Sequence, residues 1–242
     1  MMRISETVKH LIIINVIMFV GTLTIGGGVL FYDWFAMHFP ENESFQLWQI
    51  LTHMFMHGGA MHILFNMFAL WMFGTPVEQV LGSKRFLFIY ISAGLGAVAF
   101  QVGYYYFQYL PMESQALSLG ATHEQIIEVF KEGKVFSAIG QQFNEIYYAS
   151  MVGASGCIMG VMVAFGMMNP NAELMLIFLP IPIKAKYFIP GIIILDLISG
   201  ITGQSFFSPS NTAYMAHVGG ALTGFIIMWY WKKNQFNRNR WD

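Results

Sequence analysis

Six stretches of this chain, at roughly 11–31, 60–80, 86–107, 147–168, 187–206 and 213–231, each run for about 20 residues with at most one acidic or basic side chain. A stretch of that length crosses the hydrocarbon core of a bilayer as a helix. Inside lipid the backbone must satisfy its own hydrogen bonds, so a chain built this way is restricted to a bundle of helices. The expectation is an all-α membrane protein, one domain over residues 1–242 with six transmembrane helices and the lipid bilayer as its solvent. Only 10% of residues are charged, against about a quarter in soluble domains. A shorter apolar stretch, Leu174 to Ile183, cannot cross, and its "PIPIK" ending reads as an interfacial turn. Arg3 and Lys9 precede the first run as in a signal peptide. The run is long enough to span and no Ala-x-Ala site follows it, so it reads as a retained helix.

Charge placement gives direction. With the N-terminus inside, Arg3, Lys9, Lys84, Arg85, Lys184, Lys186, Lys232, Lys233, Arg238 and Arg240 lie in inner segments and only Lys131 and Lys134 in outer ones. Both termini are therefore expected in the cytoplasm, with the chain a multi-pass protein of the cell (inner) membrane. Two outer connections are long: 32–59, a structured interfacial loop containing "WQILTHMFMH", and 108–146, an extended connection. Ile126, Ile127, Val129, Phe130 and Phe136 in the second suggest a short amphipathic helix. No basic tract points to nucleic acid, the lone Cys157 excludes an internal disulfide, and no cofactor or metal is called for.

On these directions the second, fourth and sixth helices run inward in parallel. His62 and Asn66 near the start of the second, Ser155 within "GASG" of the fourth and His217 of the sixth fall at comparable depths, with Ser155 on the order of 10 Å below the outer end of its helix. Taken singly, Ser155 reads as a packing serine, and His62 and Asn66, spaced i, i+4, as interhelical glue. Gathered in one layer they read as a site. Gly156 and Gly160 on the fourth helix, and Ala216, Gly220 and Gly224 on the sixth, have the small-xxx-small spacing that lets backbones approach, which would bring Ser155 to His217. Imidazole can activate a weak hydroxyl nucleophile. His62 and Asn66, with the backbone N–H near Ser155, are suitable donors to an oxyanion. No carboxylate is clearly placed to orient His217. Asp196 reads as a structural acceptor, leaving a Ser–His dyad. Glu78 is expected to pair or cap beside Lys84 and Arg85.

The motifs "HMFMHGGAMHILFNM" (53–67), "GTPVEQVLGSKRF" (74–86), "GASG" (153–156) and "AHVGGALTG" (216–224) resemble, in order, those of the rhomboid family of intramembrane serine proteases. The resemblance implies a rhomboid-like bundle with Ser155 as nucleophile and His217 as base. It implies an oxyanion hole from His62, Asn66 and the Ser155 backbone, with Gly153 forming the tight backbone and Gly156 and Gly220 supporting it. It implies single-pass transmembrane substrates admitted past the fifth helix and the cap loop 203–213. Three positions depart from the family's pattern: Gln49 where arginine is common, Met159 where a tyrosine packs on the histidine, and Tyr214 in place of asparagine. Tyr214 could supply the missing aromatic contact. A catalytically silent rhomboid-like binding protein and a small transporter are the non-enzymatic alternatives. A zinc protease using His53 and His57 lacks the glutamate of H-E-x-x-H.

Overall fold

A computed structural model describes residues 3–176, 179–206, 209 and 212–238, the side chains of 176, 179–180 and 235–238 excepted. Helix α1 (Glu6–Thr24) opens the bundle. It does not continue to residue 31 as expected, because Gly26, Gly27 and Gly28 take positive φ (61°, 63° and 89°) and break it before α2 (Val29–Phe35). The first loop follows, with a two-residue strand β1 (Met37–His38), helix α3 (Gln49–Thr52) and a single tight turn at His53–Phe55. Helix α4 (Ala60–Ala69) passes through a wide turn at Leu70–Gly74 into α5 (Thr75–Leu81). Pro76 lies at the start of α5 and has no N–H to donate to the preceding turn, which accounts for the widening.

Helix α6 (Ser83–Ser118) runs 36 residues, well past the expected end at 107. Its far end packs Tyr109 and Ala116 against α7 (His123–Lys131) and α8 (Gln141–Tyr147), with Ile126, Phe130, Phe143 and Tyr147 completing a small aromatic core. The amphipathic helix expected from Ile126 and Phe130 is thus α7, started by a capping box between Thr122 and Gln125. Strand β2 (Ser150–Met151) precedes α9 (Ser155–Met168). The short apolar segment after it is an antiparallel hairpin of β3 (Glu173–Leu176) and β4 (Leu179–Lys184). Helices α10 (Ala185–Thr202) and α11 (Tyr214–Arg238) complete the chain.

Among the described residues, Glu6–Phe35, Ala60–Leu81, Ser83–Ser118 and Ala185–Thr202 are each long and apolar enough to cross a membrane, and α9 is a shorter apolar helix. Helix α11 packs between α6 and α9. A Cβ added to Gly220 would overlap the Gly156 carbonyl, and one added to Gly224 would stand 2.5 Å from the Gly160 oxygen. Gly156 and Gly160 face Ala97 and Ala93 of α6 in turn. Small residues on all three helices therefore let the backbones touch, which is how close helix association is achieved in lipid. The chain is an α-helical membrane protein.

Glu78 ties one face together. Its carboxylate accepts from the N–H groups of Thr7 and Val8 (both 3.0 Å), from Ser83 Oγ (2.7 Å) and from Ser5 Oγ. A negative side chain thus satisfies the open N–H groups at the start of α1. Of the two expected roles, pairing or capping, Glu78 takes the second, with hydroxyl and amide partners.

Candidate active site

The site is built where the first loop meets the start of α9. The apolar stretch from 147 was expected to be helical throughout, with Ser155 two turns down. Instead α8 ends at Tyr147 and the chain runs extended, pairing Ser150 and Met151 with His38 and Met37. Residues 149–151 satisfy their backbone through the first loop, and the helix begins only at Ser155. Gly153, at φ 132°, makes the corner, and its N–H donates to the His53 carbonyl at 2.9 Å. A side chain there would be both strained and within 2.9 Å of His62 Nε2. The first intrahelical bond of α9 runs from Ile158 N–H to the Ala154 carbonyl. The N–H groups of Ser155, Gly156 and Cys157 therefore have no helical carbonyl to serve.

The first loop is held by Gln49, whose side chain is fully buried. Its Nε2 donates to the Asp33 and Ser44 carbonyls (3.0 and 2.9 Å), and its Oε1 accepts from the His38 and Gln46 N–H groups (3.3 and 3.1 Å). An uncharged amide with two donors and an acceptor fits this nest of main-chain groups. His53, one turn on, donates from Nδ1 to the Gln49 carbonyl at 2.9 Å, and burial pushes its pKa down to about 4. Burial, with the neighbouring His62 ring second, lowers His57 to about 3. Both are neutral where they lie, in a loop packed against lipid-facing helices.

Ser155, His217, His62, Asn66 and Gly153 all line one cavity of about 1280 Å³. It descends between α4 and α10, past Phe65, Met72 and Ile192, to the β3–β4 hairpin. Gly58 N–H donates to His62 Nδ1 at 3.4 Å, which leaves Nε2 protonated beside Gly153. Asn66 Nδ2 donates back to the His62 carbonyl at 2.9 Å, which fixes the amide on the cavity side of α4. The contact of α9 with α11 at Gly156 and Gly220 sets side by side the two helices that carry Ser155 and His217. Among the described residues no hydrogen bond joins Ser155 Oγ to the imidazole.

Asp196, read from the sequence as a structural acceptor, has its partner within the site. Its Oδ2 lies 2.7 Å from His217 Nδ1, both groups being buried. Where no orienting carboxylate was expected, His217 has one. The signal was available, since Asp196 is the single charge in its apolar run, but rotation about the helix axis could not be read from spacing. Among the described residues no aromatic ring stacks on His217. Tyr214, the candidate for that contact, donates its hydroxyl to the Pro209 carbonyl at 2.9 Å instead. Residues 207–208 and 210–211 of the cap loop lie outside the described residues.

Fold and site together define a helical membrane protein with a largely apolar cavity that carries a few polar side chains, Ser155, His62, Asn66, Asp196 and His217, on its wall. Residues 44–234 match the Rhomboid domain family, and the chain belongs to that family. It is 30% identical over 182 residues to the human presenilin-associated rhomboid-like protein, mitochondrial, covering 75% of this chain and 36% of that one. It is 26% identical over 190 residues to rhomboid protease AarA of Providencia stuartii, covering 74% of this chain and 54% of that one. Over 53 residues it is 49% identical to rhomboid protease GluP of Bacillus subtilis, 22% of this chain and 10% of that one. The matched stretch thus spans about a third of the length of the mitochondrial relatives.

Proposed function

We propose that the protein is a serine endopeptidase that cleaves membrane-protein substrates in or near a transmembrane segment. The observation that carries this reading is the meeting of Ser155, His217, His62 and Asn66, from three helices, on the wall of one cavity in a rhomboid-family bundle. Ser155 Oγ attacks the scissile carbonyl carbon while its proton passes to His217 Nε2. The imidazolium then returns that proton to the departing amine nitrogen, and water releases the acyl group by the same route in reverse. The oxyanion is stabilised by His62 Nε2–H, by the Asn66 amide and by the open N–H groups at the start of α9. Attack requires Ser155 Oγ to come within hydrogen-bond reach of the imidazole when substrate fills the cavity.

The substrate class follows from the cavity's place. Its polar end lies under the first loop and its apolar walls are α4 and α10, so it suits a single-pass protein whose helix unwinds near the outer surface. The charge bias supports a reading with both termini in the cytoplasm and the cavity mouth on the outer side of the cell membrane. Wild-type protein reconstituted with a single-pass substrate should cleave it, and Ser155→Ala should not. Equal cleavage by both would remove the assignment. Stable binding of substrate without cleavage by wild type would favour a catalytically silent binding protein instead.

A further inference from the structure

The cavity wall carries Tyr32, His53, His62, Cys157 and Asp196 as titratable neighbours of His217, so among the described residues Asp196 is its one carboxylate. Asp196 is fully buried midway along α10, where the other charged side chain, Lys186, stands in the first turn. A carboxylate in that position is costly unless it is hydrogen-bonded. Its Oδ2 meets His217 Nδ1 at 2.7 Å, across 21 residues of sequence and between two helices. We propose that Asp196 is a positioning residue that extends the Ser155–His217 pair to a triad. It holds the proton of His217 on Nδ1 and leaves Nε2 as the acceptor for the Ser155 hydroxyl.

Four groups from different elements bear on the ring: Asp196 from α10, Ser155 from α9, His62 from α4, and Gln101 of α6. Gln101 accepts from the N–H of Ala216, next to His217, at 3.1 Å. Gln101 therefore fixes the backbone, Ser155 and His62 face the cavity, and Asp196 alone carries a charge onto the ring. With Nδ1–H donated to a carboxylate, the tautomer is set and the ring plane is fixed. The same charge stabilises the imidazolium formed when Ser155 gives up its proton. In a dyad the ring would be free to hold its proton on either nitrogen, and half of its tautomers would be unable to act as base. The side chain at 159, one turn after Ser155, is methionine, which offers no aromatic face to the ring.

This inference rests on the protease reading, and the test separates the two. Purified protein in lipid nanodiscs is assayed as wild type, Ser155→Ala, Asp196→Asn and Asp196→Glu against a single-pass substrate over a range of pH. Asp196→Asn should lower kcat by at least ~100-fold with KM within twofold, since substrate contacts are untouched. Asp196→Glu should recover part of kcat. A kcat within threefold of wild type would overturn the proposal. Independently of activity, ¹⁵N NMR of histidine-labelled Ser155→Ala protein should show His217 as the Nδ1–H tautomer. The Nε2–H tautomer there would overturn the proposal even if the Asp196 variants fail to fold. Absence of cleavage by wild type with the Nδ1–H tautomer present would fault the protease reading and leave the Asp196–His217 tie standing.

Discussion

Replacing Gln49 by alanine removes four hydrogen bonds to main-chain groups at once. Two carbonyls (Asp33, Ser44) and two N–H groups (His38, Gln46) lose their partner at a position with no solvent exposure. Each such bond is worth about 1 kcal/mol net, and the 3.3 Å bond to His38 rather less, so the loss comes to about 3 kcal/mol. On the scale of domains of this size, that lowers Tm by about 6–12 °C. His38 belongs to β1, which pairs with the strand leading to Ser155. Loosening the loop should therefore also release residues 149–153 and reduce cleavage. Thermal unfolding in detergent and hydrogen exchange read the two effects separately. Exchange should accelerate at His38 and Gln46 and spare α6. A Tm within 2 °C of wild type with unchanged exchange would show that the loop is anchored by something other than Gln49.

Gly220→Ala places a methyl group on the Gly156 carbonyl, and parting α9 from α11 should cost about 1–3 kcal/mol and separate Ser155 from His217. A lowered Tm together with lost cleavage checks this, and full activity at wild-type Tm would contradict it. His57 is neutral in the fold, with its pKa pushed down to about 3 by burial and then by His62. The unfolded chain takes up the proton from about pH 6.5 downward. Stability is therefore full above that pH and falls by about 1.4 kcal/mol per unit as pH drops toward 3. His57→Leu should flatten the slope of Tm against pH in that window, and an identical slope would contradict the assignment. Both ring nitrogens of His57 are buried without a hydrogen-bond partner among the described residues, so the substitution should not lower Tm at neutral pH.

The helical spans were legible because some 20 residues without charge leave the backbone no other way to bond in lipid. That His62, Asn66, Ser155 and His217 line one cavity was foreshadowed for a related reason, since helices expected to run parallel bring similar offsets near one another. Distant partners were not legible. Residues 147–154 are as apolar as a span, yet Ser150 and Met151 pair with β1 ahead of the helix, and nothing near them in sequence announces that pairing. Gln49 departs from the family's pattern at a position where its anchoring depends on four main-chain groups converging from residues 33–46. Asp196 meets His217 only because α10 and α11 present those faces to one another. Glycines gave mixed guidance: Gly156 and Gly220 marked the helix contact as read, while the run at 26–28 breaks the helix within a span that hydropathy shows as continuous.

The activated hydroxyl is probed most directly by covalent labelling of the reconstituted protein with a fluorophosphonate. Modification of Ser155 in wild type, abolished in Ser155→Ala and in His217→Ala while both variants keep the wild-type Tm, is the expected result. Labelling that persists without His217, or that falls on another residue, would contradict the central claim that this imidazole activates this serine.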